Sequence, residues 1–129
     1  MGVGWLSLIT IAALIEYFVF VLLTGKARGR YNVEAPATTG NPIFERYYRV
    51  QQNTLEQLVI FLPALWLYNE YVGTRTAFLL GLVFVIGRGL YANGYIKEPS
   101  KREIGAMATF AANGILVIGS LIGLIVRAL

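Results

Sequence analysis

The residues able to do chemistry concentrate in one stretch of this 129-residue chain, positions 44–57, which leads into an apolar run. In a helix, four of its polar residues would share one face at i, i+3, i+7 and i+10: Arg46, Arg49, Asn53 and Glu56. Arginine pairs with carboxylates, the amide of Asn53 suits a peptide group, and Glu56 suits an ammonium group. Unpaired charge is costly in hydrocarbon, so this stripe requires a mutual network or a bound ligand. We interpret it as half of a site for a small anionic peptide.

A second polar stripe lies further along the chain, at i, i+3 and i+7: Arg88, Tyr91 and Tyr95. Ser100 and Glu103 then have the spacing of a capping box, which predicts that a helix begins at Ser100. Arg102 would fall in its first turn, where free backbone N–H groups favour an anion. The competing interpretation is that the clustered arginines contact phospholipid phosphates and one another. The amides and the carboxylate on the same face favour the ligand site.

The amino-acid composition indicates the class of protein that carries these residues. The chain is 57% hydrophobic and 14% charged, whereas soluble domains average about 25% charged residues. This balance predicts a polytopic integral membrane protein with a single domain, residues 1–129. With no cysteine and no histidine, the chain has no thiol nucleophile, Ser-His pair or usual zinc site, and we predict no metal. The net charge of +4 suits an anionic ligand or lipid head groups, and we predict no nucleic acid partner.

The apolar segments predict an all-α bundle of four transmembrane helices, at about residues 3–24, 44–71, 75–95 and 100–127. Eight lysines and arginines flank the first and third connections: Lys26, Arg28, Arg30, Arg46, Arg49, Lys97, Lys101 and Arg102. Only Arg75 and Arg127 lie on the opposite side, so we expect the site at the cytoplasmic end and both termini outside. Glu16 is either a protonated or hydrogen-bonded glutamate within the bundle, or part of a ligand or proton pathway. The motif Gly119-x-x-x-Gly123 predicts close helix contact with a partner in the same or another subunit.

Several spaced motifs resemble one family. They are Lys26-Ala27-Arg28, Thr39-Gly40-x-Pro42, Phe44-Glu45-Arg46-x-x-Arg49-x-Gln51-Gln52-Asn53-x-x-Glu56, Gly87-Arg88-x-x-Tyr91-x-x-Gly94-Tyr95 and Lys101-Arg102. In one register, over about residues 24–105, they are similar to the membrane-associated proteins in eicosanoid and glutathione metabolism (MAPEG). The resemblance is closest to the branch of microsomal glutathione transferases and leukotriene synthase.

This resemblance implies a homotrimer that binds glutathione as co-substrate at the cytosolic end, between neighbouring subunits. The positions that match the family's glutathione contacts are Arg28, Arg49, Gln51, Asn53, Glu56, Tyr91, Tyr95 and Arg102. Arg102 matches the arginine that holds the thiol as thiolate and is the predicted catalytic residue. Gln57 stands where leukotriene synthase has a tyrosine in the glutathione site. Gly29 stands where that enzyme has a second functional arginine, although Arg30 is adjacent. The expected function is therefore general glutathione conjugation rather than leukotriene synthesis.

The leading hypothesis is a membrane-bound transferase that conjugates glutathione to hydrophobic electrophiles from the bilayer, with reduction of lipid hydroperoxides as a second activity. One alternative is a non-catalytic membrane protein that binds lipid or glutathione. Retention of Arg102 and of the full polar set argues against it. A small multidrug antiporter is suggested by Glu16 and by the chain length. Such exporters handle cations. Five arginines clustered at one end of the bundle would repel cations: Arg28, Arg46, Arg49, Arg88 and Arg102.

Overall fold

The computed structural model describes residues 1–129, which form four α-helices and no strand. The helices are α1 (Gly4–Tyr31), α2 (Pro42–Tyr71), α3 (Thr74–Lys97) and α4 (Glu103–Ala128), with a short 3-10 helix at Pro99–Arg102. The prediction of an all-helical protein is confirmed. Three segments are long and apolar enough to cross a membrane: α1, α3, and the 3-10 helix together with α4. The 30 residues of α2 are long enough, but the polar residues of its first half lower its hydropathy.

Helix α1 continues seven residues past the predicted end at 24. The basic run after Leu23 was expected to terminate the helix, but one side of this run is packed: Thr24 and Ala27 are buried, and Thr24 Oγ1 donates to the carbonyl of Tyr47 at 3.2 Å. The helix ends only at Asn32, whose left-handed backbone (φ 57°) closes the last turn. At about 42 Å, α1 is longer than a hydrocarbon core of about 30 Å, so its basic end can extend into the interface.

Helix α2 begins at Pro42, two residues before the predicted start. Asn41 is its N-cap, and the side-chain oxygen of Asn41 accepts hydrogen bonds from the backbone N–H groups of Ile43 (2.9 Å) and Phe44 (3.0 Å). Proline at the first helical position loses no hydrogen bond. The dipeptide Asn41-Pro42 is therefore the start signal, which the sequence interpretation assigned to the preceding loop.

Helix α3 ends at Lys97 and is closed by a side chain from α2. The Arg46 guanidinium donates to the carbonyls of Ile96 (3.2 Å) and Lys97 (3.1 Å), two of the groups that a helix C-terminus leaves without intrahelical partners. Arg46 was predicted to belong to the ligand-facing stripe. The structure instead assigns it to the junction between α2 and α3.

Arg46→Met is expected to lower the free energy of unfolding by about 1 kcal/mol, because the α3 carbonyls lose a charged donor. Thermal unfolding in detergent measures this change. Arg75→Met is the matched control, since Arg75 is exposed and its side chain makes no hydrogen bond within the chain. Equal unfolding temperatures for the two variants would contradict the assignment of Arg46 to the end of α3.

The predicted capping box at Ser100 and Glu103 is wrong. Residues Pro99–Arg102 form a 3-10 helix, α4 begins at Glu103, and no side chain caps either element. Packing holds this turn instead: a Cβ on Gly94 of α3 would collide with the backbone carbonyl of Lys101. This close contact between two backbones fixes the position of Arg102 relative to α3.

The bundle is built around α2 and α3, which pack against each other and against both α1 and α4. The Phe61 and Phe84 rings stack between them, with centroids 3.8 Å apart. A Cβ on Gly119 would lie 2.6 Å from the Tyr68 ring, and one on Gly123 would lie 2.7 Å from a backbone oxygen of Tyr71. The Gly119-x-x-x-Gly123 motif therefore packs against α2 of the same chain, which answers the question that the sequence left open.

Candidate functional site

The two predicted polar stripes meet in two adjoining cavities on one side of the bundle, of about 590 and 480 Å³. We call them together the polar groove. Asn53, Tyr91 and Ala106 line both cavities. The smaller one adds Arg49, Tyr95 and Arg102; the larger one adds Glu56, Gln57, Arg88 and Thr109, with Met107 and Phe110 among its apolar residues. Six of the eight predicted glutathione positions therefore lie together.

Hydrogen bonding and aromatic contacts order the smaller cavity. The amide nitrogen of Asn53 donates to the hydroxyl oxygen of Tyr91 at 2.5 Å, which joins α2 to α3. The rings of Tyr91 and Tyr95 are 5.6 Å apart between centroids, and the Arg102 guanidinium carbon lies 5.4 Å from the Tyr95 centroid. Arg102 thus lies over the ring of Tyr95, which in turn contacts the ring of Tyr91.

Three charged residues of the groove are exposed: Arg49, Glu56 and Arg102. None of them forms an ion pair within the chain, because the single salt bridge joins Lys101 to Glu98 at 3.8 Å. The mutual charge network that the sequence allowed is therefore not formed. The cationic and anionic groups at the mouth of the groove are free to pair with a ligand.

Arg88 supports the groove from below. Its side chain is 2% exposed, and its two terminal nitrogens donate to the hydroxyls of Thr109 (3.2 Å) and Thr54 (3.1 Å). Its guanidinium carbon lies 3.9 Å from the Tyr91 ring centroid, whereas its Nε has no partner. One buried cation thereby ties α2, α3 and α4 together beneath Tyr91. Sequence reasoning placed Arg88 in the polar stripe but not in the ligand set.

Arg28 and Gln51, the two other predicted glutathione positions, lie away from the polar groove. Arg28 holds the connection between α1 and α2: its Nη1 donates to the carbonyls of Ala37 (2.7 Å) and Val33 (3.4 Å). Gln51 is about 160° from Asn53 around α2, at 100° per residue. Within one chain, Arg28 and Gln51 are therefore separated from the other six predicted positions.

Sequence reasoning missed a pair of amide side chains, Gln57 and Asn113. Gln57 lies one helical turn beyond Asn53 on α2. Asn113 of α4 is 4% exposed, and its Nδ2 donates to both Oε1 (2.9 Å) and the backbone oxygen (3.2 Å) of Gln57. The available signal was the i, i+4 pair Thr109 and Asn113 within an apolar helix. Glu16 lies outside the groove, beside Gly89 of α3, and its buried Oε1 has no hydrogen-bond partner.

The chain is similar in sequence to several known proteins. The profile of the MAPEG family matches residues 6–122. A protein of Synechocystis sp. described as uncharacterized is 47% identical over 121 residues, which cover 94% of this chain and 88% of that protein. Human microsomal glutathione S-transferase 2 is 40% identical, covering 92% and 78% of the two chains. Bovine leukotriene C4 synthase is 33% identical, covering 95% and 82%.

Proposed function

This chain belongs to the MAPEG family, and from that premise we propose that it is a membrane-bound transferase that conjugates glutathione to hydrophobic electrophiles. The observation that carries the proposal is the polar groove itself. It combines unpaired charges of both signs at its mouth with the exposed apolar side chains of Met107 and Phe110 on α4. A polar tripeptide and a lipid-soluble molecule can therefore meet in one cavity. The names of the human and bovine relatives support glutathione as the co-substrate.

Charge complementarity orients glutathione in this proposal. Glu56 takes the ammonium group, Arg49 takes a carboxylate, and the Asn53 amide lies between them on the same face of α2. Arg102 is then left for the thiol. A thiol of pKa about 8.5 must be shifted by roughly two units to be mostly ionised at neutral pH, which corresponds to about 2.7 kcal/mol. An adjacent guanidinium can supply stabilisation of that size in a partly dry site.

The chemical step follows from the ionised thiol. The sulfur attacks an electrophilic carbon, a carbon–sulfur bond forms, and the bond to the leaving group breaks with its electron pair. The thiol proton has already passed to water, so no second acid or base is required. Reduction of lipid hydroperoxides by the same thiolate is a second activity within the proposal.

The placement of Arg28 and Gln51 supports a homotrimer in which neighbouring subunits complete each site. Both positions match the family's glutathione contacts, yet they lie away from the polar groove of their own chain. A second subunit could bring its Arg28 and Gln51 to the groove of the first. In the same proposal all four helices span the bilayer, the groove lies on the cytoplasmic side, and both termini are outside.

Arg49→Ala and Glu56→Gln are each expected to weaken glutathione binding about tenfold, because each removes a charged partner worth roughly 1.4 kcal/mol. Isothermal titration calorimetry in nanodiscs measures the Kd. Arg75→Ala and Glu70→Gln are the matched controls, since both residues are exposed and lie near the connection between α2 and α3, at the other end of the bundle. Wild-type affinity in both groove variants would show that the α2 stripe does not hold glutathione.

The proposed activity is tested by incubating the purified protein with glutathione and 1-chloro-2,4-dinitrobenzene, a model electrophile. We expect a protein-dependent increase in the absorbance of the thioether product. Glutathione binding without any conjugate would support the non-catalytic alternative. Absence of glutathione binding would contradict the proposal as a whole.

A further inference from the structure

A cationic face at the basic end of α1 lies outside the polar groove. Val19, Leu23, Lys26 and Arg30 follow one another at i, i+4, i+7 and i+11, so they share one face of the helix. The first two residues of this face are apolar and the last two are cationic. Arg28 lies about 160° away around α1, at 100° per residue. This face is therefore distinct from the one that carries the predicted glutathione position.

The face borders a small cavity between α1 and α2. The cavity has a volume of about 80 Å³, and its lining combines cations, phenols and apolar residues: Leu23, Lys26, Ala27, Arg30, Tyr31 and Tyr47. The Thr24 hydroxyl donates to the backbone carbonyl of Tyr47 at 3.2 Å, which holds the two helices together at this level. Pockets for drug-sized ligands have about 300–1,000 Å³, so this cavity can take an ionic head group but not a tripeptide.

The two cations of the face have no counter-charge in the chain. Lys26 and Arg30 are both exposed, and neither forms a salt bridge, since the single one in the chain joins two other residues. Like charges at i and i+4 of a helix repel each other and destabilise it slightly. An anion bound between Lys26 and Arg30 would remove that repulsion.

Two phenols complete the surroundings of these cations. Tyr31 and Tyr47 line the cavity with hydroxyls that form no hydrogen bond within the chain, since the Tyr91 hydroxyl is the one tyrosine hydroxyl that does so. The Arg30 guanidinium carbon lies 5.6 Å from the Tyr31 ring centroid, a contact that restrains the Arg30 side chain. Two cations and two hydroxyl donors match the several acceptor oxygens of a phosphate group.

The apolar half of the face indicates that this phosphate belongs to a lipid. Val19 is 43% exposed and lies about two helical turns before Lys26, and Ile15, one turn further from the cations, is 58% exposed. An acyl chain can lie along these side chains while its head group reaches the cavity, whereas a dissolved phosphate would leave them uncovered. The two cations would repel a head group that carries an ammonium group, so an anionic head group without one is favoured.

We propose that this face of α1 and the adjoining cavity form a specific site for an anionic phospholipid such as phosphatidylglycerol. The phosphate lies between Lys26 and Arg30 and accepts hydrogen bonds from the hydroxyls of Tyr31 and Tyr47, while an acyl chain follows Val19 into the bilayer. In the proposed topology the site faces the cytoplasmic leaflet, whose surface is anionic. The site is separate from the polar groove and does not depend on the transferase function.

Native mass spectrometry of the delipidated protein in detergent tests the site by measuring the Kd of the first lipid bound per subunit. The probes are phosphatidylglycerol and phosphatidylcholine with identical acyl chains. We expect the wild-type protein to bind phosphatidylglycerol about tenfold more tightly than phosphatidylcholine. Lys26→Gln combined with Arg30→Gln is expected to weaken phosphatidylglycerol binding about 30-fold, the loss expected when two cations are removed from a bilayer surface.

Lys97→Gln combined with Lys101→Gln is the matched control for this double variant. It removes the same charge from the same end of the bundle, but neither residue lines the cavity. The Kd for phosphatidylglycerol should stay near that of the wild type. Equal weakening in the two double variants would overturn the proposal, because binding would then follow net charge alone. Equal Kd values for the two lipids in the wild-type protein would also overturn it.

Tyr47→Phe tests the site without any change of charge. It is expected to weaken phosphatidylglycerol binding about fivefold through the loss of one hydrogen bond. Tyr48→Phe is its control, since the Tyr48 ring stacks on Phe44 and does not line the cavity. If the double cation variant does not fold, this pair decides, and an equal Kd in Tyr47→Phe and Tyr48→Phe would overturn the proposal.

The Kd for glutathione in the same variants separates this site from the polar groove. We expect a wild-type value in the protein with Lys26→Gln and Arg30→Gln. Weakened glutathione binding with unchanged lipid binding would overturn the proposal, because it would assign the two cations to the glutathione site of a neighbouring subunit. Absence of glutathione binding in the wild-type protein would contradict the transferase proposal and leave the lipid site intact.

Discussion

Arg102→Ala is expected to lower turnover about 100-fold while the Kd for glutathione changes by less than about threefold. The expectation follows from the proposed role of Arg102 as the group that stabilises the thiolate: two units of thiol pKa correspond to about 2.7 kcal/mol. Arg102 is exposed at the mouth of the groove and makes no ion pair that its removal would break. Steady-state kinetics with 1-chloro-2,4-dinitrobenzene, together with calorimetric titration of glutathione, separates the two effects.

Lys101→Ala is the matched control for this prediction. Lys101 is adjacent in the same 3-10 helix, but it pairs with Glu98 and does not line the groove. A surface pair of this kind contributes little, so turnover should stay near that of the wild type. Equal decreases in the two variants would indicate disturbance of the turn rather than loss of thiolate stabilisation. Wild-type turnover in Arg102→Ala would remove Arg102 from the mechanism.

Gly105→Ala is expected to lower the free energy of unfolding by about 3 kcal/mol, the largest stability effect that we predict. Gly105 is the point where α4 touches the backbone of α3. A Cβ there would lie 2.6 Å from the carbonyl oxygen of Gly87 and still closer to the backbone nitrogen of Tyr91. Both obstacles are backbone atoms, which cannot rotate away. Separation of the helices would also move Tyr91 away from α4 and reduce conjugation.

Gly114→Ala tests the same substitution on the same helix without the clash. No heavy atom lies within 4 Å of the Cβ that it adds, so the greater helix propensity of alanine should raise stability by about 0.5–1 kcal/mol. Thermal unfolding in one detergent measures both variants. If Gly105→Ala were as stable as Gly114→Ala, α3 and α4 would not be in close contact at Gly105.

Residues three, four or seven positions apart share one face of a helix wherever the helix lies. The fold class and most residues of the polar groove could therefore be predicted from the sequence. Arg49, Asn53 and Glu56 share a face of α2, as do Arg88, Tyr91 and Tyr95 on α3, and the resemblance supplied the ligand that both faces would bind. Family membership is confirmed by the profile match and by the relatives. Oligomeric state, topology and the individual residue roles stay predictions.

Tertiary contacts account for the features that the sequence did not predict. Arg46 has the same spacing as the ligand-facing residues, but the end of α3 lies within its reach. Ser100 has the spacing of a cap, but contact between Gly94 and the backbone of Lys101 sets the geometry of that turn. The partnership of Gln57 with Asn113 joins residues 56 positions apart. Helical periodicity contains no information about any of these contacts.

The most direct test of the account is an ultraviolet difference spectrum of the purified protein on addition of glutathione, near the absorption of the thiolate. The account predicts a thiolate band at neutral pH that disappears in Arg102→Ala and persists in Lys101→Ala. A band of equal size in Arg102→Ala, with glutathione bound, would contradict the central claim that Arg102 stabilises the thiolate in this groove.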